Sequence, residues 1–208
     1  MSWRWLTGAV AALAAGLVLL LLGLDVGRWH TALARGDVRF TTAPTRSDLW
    51  RPNEILPFHV AKRLLGVGDD VFYRETLRRF YLARPHANRW ATATNIDAIR
   101  SEATIALADY IRNGKTAARR SQAANLLGVL GLGLAATDDP GQRLRFLLFA
   151  SRSFRGALTM DQNNEDAKFN LELTLRLLKQ QPTSTGGGAA HGPGRGGGAA
   201  LAKPGTGY

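Results

Sequence analysis

The hydrophobic and polar positions divide this chain into one unbroken apolar run, a succession of helical periodicities and a final stretch with no periodicity. Leu6 to Leu24 carries no charge. At 1.5 Å per residue it is long enough, as a helix, to cross a hydrocarbon layer of roughly 30 Å. Helical spacing resumes at Phe58, where a short segment closes at Gly66 and a second helix carries Tyr73, Leu77, Phe80 and Tyr81 on one face. Asp69 or Asp70 is placed to cap it. Pro85 stops that helix, and Thr94 with Asp97 makes a capping-box start for the next. Ile96, Ile99, Ala103, Ala106, Leu107 and Tyr110 follow at helical spacing up to Asn113-Gly114.

Residues 122–136 are apolar on every side and end at Asp138-Asp139-Pro140. Their charge-free length is short for a membrane span, which predicts a helix buried inside a bundle. Gly128, Gly131 and Gly133 then serve close helix packing; a nucleotide loop would need a strand before them. In the last pair, Leu144, Leu147, Leu148, Ser151, Phe154 and Leu158 form the predicted inner face. Phe169, Leu171, Leu173, Leu175 and Leu177 alternate as in a strand, but an asparagine cap and the lack of β-branched residues favour helix.

The fold class expected is therefore all-α. An anchor with its flanks covers 1–29, a juxtamembrane linker 30–57 and a helical domain 58–181; a disordered Gly/Ala/Pro-rich tail covers 182–208. The linker follows from Pro44, Pro52 and Pro57 among Thr, Arg and Asp, with Trp50 and Phe58 packing it onto the domain. Trp3, Trp5 and Trp29 flank the apolar run, where indole rings favour the membrane interface. Ala32-Leu33-Ala34 leaves open a cleaved signal peptide, against which stand the length of the apolar run and the distance of the triplet from its end. A retained single-pass anchor in the cell membrane is expected, with the helical domain outside the cytoplasm.

Charge and chemistry narrow the function classes. Lys and Arg number 27 against 16 Asp and Glu, a net charge of +11. Such a surplus suits an anionic membrane surface, a cell-envelope polymer or an acidic protein. Nucleic acid is disfavoured, because Asp69, Asp70, Glu75, Asp97, Glu102 and Asp109 interrupt the basic residues between 61 and 120. There is no cysteine, hence no disulfide, thiol catalysis or Cys-based zinc site. His30, His59, His86 and His191 are scattered, and no nucleophile and base, paired carboxylates or metal set is evident. A non-enzyme without a cofactor is expected.

Ala150, Phe154, Ala157 and Gln162 fall at the spacing that the second helix of a tetratricopeptide repeat gives to its small, aromatic, small and turn residues. With Leu171 they form the expected repeat packing, resting on helix 122–136. Residues 163–173, NNEDAKFNLEL, are similar to the repeat segment of small membrane proteins encoded beside MoxR-type AAA+ ATPases and von Willebrand factor A domain proteins, including the Bat-type and methanol-oxidation accessory families. Trp50 to Pro85 resembles the actinobacterial members. This chain differs in having Gln162 where the turn proline is usual and in lacking a clean second repeat. The resemblance implies an accessory role in maturing or assembling other proteins, with an A-domain protein as partner and the ATPase acting through it. Lys168 and Asn170, polar positions on the motif's helix, are the candidate partner contacts. The alternatives are a basic binder of membrane surface or envelope polymer, and a structural subunit of a membrane complex.

Overall fold

The computed structural model describes residues 3–84 and 95–181, apart from the side chains of residues 4–6. The described residues are helical, with no strand among them. The helices are α1 (Trp3–Thr42), a 3₁₀ turn (Pro57–His59), α2 (Val60–Leu65), α3 (Gly68–Ala83), α4 (Ile96–Asn113), α5 (Ala117–Leu134), α6 (Pro140–Met160) and α7 (Glu165–Lys179). Two compact units divide the chain, 1–103 and 104–208. The stop at Pro85, the cap at Thr94 and the tail over 182–208 lie outside the described residues.

In the first unit α1 is 40 residues long, so residues 30–42 are helix and not linker. The reason is local: the first proline after the apolar run is Pro44, which bars helix only from the residue before it. Thr7 to Leu20 are exposed along the helix, and protein begins to cover α1 at Leu21. One helix near the N-terminus is thus long and apolar enough to cross a membrane.

Residues 43–56 do not lead away from α1. They fold back along it as a strap: Trp50 lies against residues 36–40 of α1, Asn53 and Glu54 against 28–29, and Ile55 and Leu56 against Asp25. Trp50 packs on Gly36 and Phe40 and donates its Nε1 hydrogen to Asp37 Oδ1 at 2.8 Å. Arg28 Nη1 donates to the Asn53 carbonyl at 3.1 Å, and Trp29 Nε1 to Glu54 Oε1 at 3.0 Å. The Ile55 and Leu56 N–H groups both donate to the Asp25 carboxylate at 2.8 Å. The lengths agree: twelve helical residues from Asp25 to Asp37 rise about 18 Å, which five to six extended residues also span. The strap needs these partners, since it is neither helix nor sheet and its backbone must still be satisfied under cover.

The core of this unit joins α1 to the strap, α2 and α3: Trp29, Leu49, Trp50, Ala61 and Val71, with Leu22, Leu33, Phe40 and Val67 around them. The Trp29 ring is therefore packed inside the protein at 3% exposure and does not face lipid, while Trp3 is exposed at the start of α1. Of the two residues expected to hold the linker down, Trp50 is buried and Phe58 is 79% exposed. Phe58 and His59 have φ of 63° and 54°, a left-handed pair of non-glycine residues that costs about 1–2 kcal/mol for each.

In α3, Val67 occupies the N-cap position, and Asp69 and Asp70 lie inside the first turn, where negative charge suits the helix dipole. The buried positions are Val71, Thr76, Phe80 and Ala83, while Tyr81, partly exposed, meets the Phe40 ring edge-on at 5.2 Å. Arg74 bonds both Asp70 and Asp37, and Arg51 bonds Glu75. The carboxylate of Asp37 does most to raise the pKa of the Arg74 guanidinium. Arg78, half-buried, is shifted down by burial, then by Arg79.

Gly36 is required by the strap. A Cβ there would lie 2.4 Å from Trp50 Cδ1 and 2.5 Å from the Leu49 carbonyl oxygen, and a backbone oxygen cannot rotate aside. Gly36→Ala is expected to destabilise this unit by about 1–3 kcal/mol, read as an earlier loss of tryptophan near-UV ellipticity on heating the full chain in detergent. An unchanged transition would mean that the strap does not rest on α1 at this position.

Candidate interaction surface

The second unit brings α5, α6 and α7 together. Each helix has a side-chain cap: Thr116 accepts from the Arg119 N–H, Asp139 from those of Gly141 and Gln142, and Asn164 from that of Ala167. Pro140 follows Asp139 as the first residue of α6, a position where its missing N–H costs nothing. The hydrogen bonds from Gln142, then Gly141, hold the Asp139 carboxyl below the ordinary carboxylate range.

Helix α5 presents small residues to α6. Ala150, Phe154 and Ala157 are fully buried, and the Phe154 ring lies over Gly128, where a Cβ would come within 2.4 Å of it. Phe149 covers Gly131 in the same way, whereas nothing lies within 4 Å of a Cβ at Gly133. The close packing expected of the glycines thus applies to two of the three. The inner stripe of α6 is Leu147, Ala150, Ser151, Phe154 and Ala157. Leu144 and Leu148, expected on that face, are exposed. Small residues hold most of these places because the two glycine positions of α5 are each filled by a ring, Phe154 at Gly128 and Phe149 at Gly131, which brings the helices close.

Polar groups complete the contact between α5 and α7. Ser121 Oγ donates to the Ala157 carbonyl at 2.8 Å and accepts from Asn164 Nδ2 at 2.8 Å. The group that caps α7 is therefore itself held by α5. Farther along, Asn170 Nδ2 donates to Asn125 Oδ1 at 3.0 Å, and Thr174 Oγ1 donates to the Asn170 carbonyl at 2.7 Å. Ala167, Asn170 and Thr174 are the buried face of α7; its leucines, Leu171 among them, are only half-buried.

This placement changes the candidate contacts. Asn170 is buried and its amide is engaged by Asn125, so it is a packing residue and not a partner contact. Lys168 is on the outside, where its Nζ meets Glu165 Oε1 at 2.7 Å. The large apolar side chains of these two helices left most exposed are Leu144 and Leu148 on α6 and Phe169 on α7; Phe149, 37% exposed, leans on Gly131. Asp25, Asp37 and Glu54, which hold the strap of the first unit, stand out in the sequence only as dilution of positive charge or not at all. Their one signal is position: Asp25 ends the apolar run, and Asp37 stands twelve residues later on the same helix. Among the described residues no group of three or more His, Cys, Asp or Glu could hold a metal ion.

No family model, curated protein or solved structure matches the chain.

Gly128→Ala and Gly133→Ala should move stability in opposite directions. The first forces a methyl group into the Phe154 ring and should cost about 1–3 kcal/mol. The second fills open space on a helix and should gain up to about 1 kcal/mol. Thermal melting of the full chain at 222 nm distinguishes them, and two shifts of the same sign would contradict the packing described. A double-mutant cycle of Asn125→Ala and Asn170→Ala should return a coupling of about 0.5–3 kcal/mol; additive losses would show that the amide pair is not formed.

Proposed function

We propose that the protein is a membrane-tethered, TPR-like helical scaffold that docks a protein partner on the second unit. The observation that carries this reading is the mismatch between the two sides of α6 and α7. Their inner faces are built from alanine, serine, asparagine and threonine around Leu147 and Phe154, while Leu144, Leu148 and Phe169 are left exposed. Large apolar groups kept at a surface, beside arginines such as Arg145 and Arg152, suit a protein interface better than solvent. The apolar helix at the N-terminus supplies the tether, retained and single-pass, with the helical units outside the cytoplasm.

The similarity of residues 163–173 to the MoxR-associated membrane proteins suggests the kind of partner: a von Willebrand factor A domain protein, with a MoxR-type ATPase acting through it in maturation or assembly. The tetratricopeptide-like spacing of Ala150, Phe154 and Ala157 supports the same role. The full chain in lipid nanodiscs should bind a purified von Willebrand factor A domain protein of the same organism. Leu148→Glu and Phe169→Glu should each weaken that binding roughly tenfold, the loss expected for a buried apolar anchor, with the melting temperature unchanged. Absence of binding, or binding indifferent to both substitutions, would overturn the proposal.

A further inference from the structure

We infer that the 3₁₀ turn and α2, residues 57–65, are a docking surface for the bilayer that α1 enters, seated in the headgroup layer. The inference rests on α1 being a membrane anchor, and three observations in the first unit lead to it.

The first is level. Nothing covers α1 from Thr7 to Leu20, and protein contact begins at Leu21 and Leu22. Ala61 of α2 lies in the same core cluster as Leu22 and Trp29, and the Leu56 N–H reaches Asp25. Asp25 is the first charged residue after the apolar run. The strap thus returns the chain to the height at which α1 leaves the hydrocarbon, and releases it there.

The second is chemistry. Only Ala61 of α2 is buried. Phe58 is 79% exposed and Leu64 67%, with Val60 and Leu65 also exposed. Arg63 and Arg28 stand exposed in the same segment and on the adjoining turn of α1. Apolar side chains mixed with cations are the composition of a segment lying at a lipid interface, where the rings and aliphatic groups enter the acyl boundary and the cations meet phosphate.

The third is conformation. The left-handed pair Phe58 and His59 turns the chain out of the strap, and glycine, which would adopt this backbone without strain, is not used. A strained turn that places an aromatic ring in water gains nothing. At the headgroup level the same turn delivers the ring to its preferred surroundings.

The chain has no cysteine, so single labels can be placed without altering any other residue. Leu13→Cys, Val38→Cys, Phe58→Cys and Leu64→Cys, all at exposed positions, are labelled with a nitrobenzoxadiazole dye. The full chain is then reconstituted into vesicles of phosphatidylcholine and phosphatidylglycerol in roughly two-to-one proportion, with and without lipid carrying a nitroxide high on its acyl chain. Quenching at 58 and 64 is expected to be roughly threefold or more above that at 38, as at 13. Quenching at 13 with 58 and 64 no different from 38 would overturn the inference and leave the anchor standing. Blue-shifted emission at 58 without quenching would also overturn it, in favour of a protein cover. No quenching at 13 would remove the anchor and this inference together.

Discussion

A backbone that leaves helix under cover must find partners for its N–H and C=O groups, and both units of this protein meet that constraint with a buried polar side chain on a helix. In the first unit the group is Asp25, whose carboxylate accepts the N–H groups of Ile55 and Leu56. In the second it is Ser121, whose hydroxyl serves the Ala157 carbonyl at the end of α6 and the Asn164 amide at the start of α7. Without Asp25 the strap would bury the Ile55 and Leu56 N–H groups without this acceptor, and without Ser121 the Asn164 amide would lose its acceptor, while the Ala157 carbonyl would keep only the Asp161 N–H.

The polar groups work because the apolar surfaces around them are cut to fit. Gly36 lets Trp50 and the Leu49 carbonyl touch the α1 backbone, and Gly128 lets Phe154 do the same on α5. In each place a glycine on a helix receives an aromatic ring from a later segment, and a hydrogen bond nearby fixes the register: Trp50 to Asp37 in one, Ser121 to Ala157 in the other. Close approach excludes water, which strengthens the bonds, and the bonds hold the approach.

Much of the helical layout is legible in the sequence because long periodic segments report their own inner face. Ala103, Ala106, Leu107 and Tyr110 of α4 are all buried as their spacing requires, and α5 is covered along most of its length. The misreadings have a common cause. Leu144 and Leu148 outrank alanine in hydrophobicity, but the face that meets a glycine-bearing helix selects for small size. Asn170 has the pattern of a surface amide because its partner, Asn125, is 45 positions away. Trp29 has the pattern of an interfacial ring because the strap that buries it carries the prolines of a linker.

The sequence by itself determined the helical class, the apolar N-terminal helix, and a few boundaries such as Asn113-Gly114 after α4, Asp139-Pro140 before α6 and Asn164 before α7, since these depend on neighbours within a turn or two. Tertiary structure alone decided that residues 43–56 return along α1, that Asp25 and Asn170 are interior, and that α2 lies level with the end of the apolar run. Those facts depend on which distant groups satisfy one another's hydrogen bonds and fill one another's gaps, and periodicity carries no record of that.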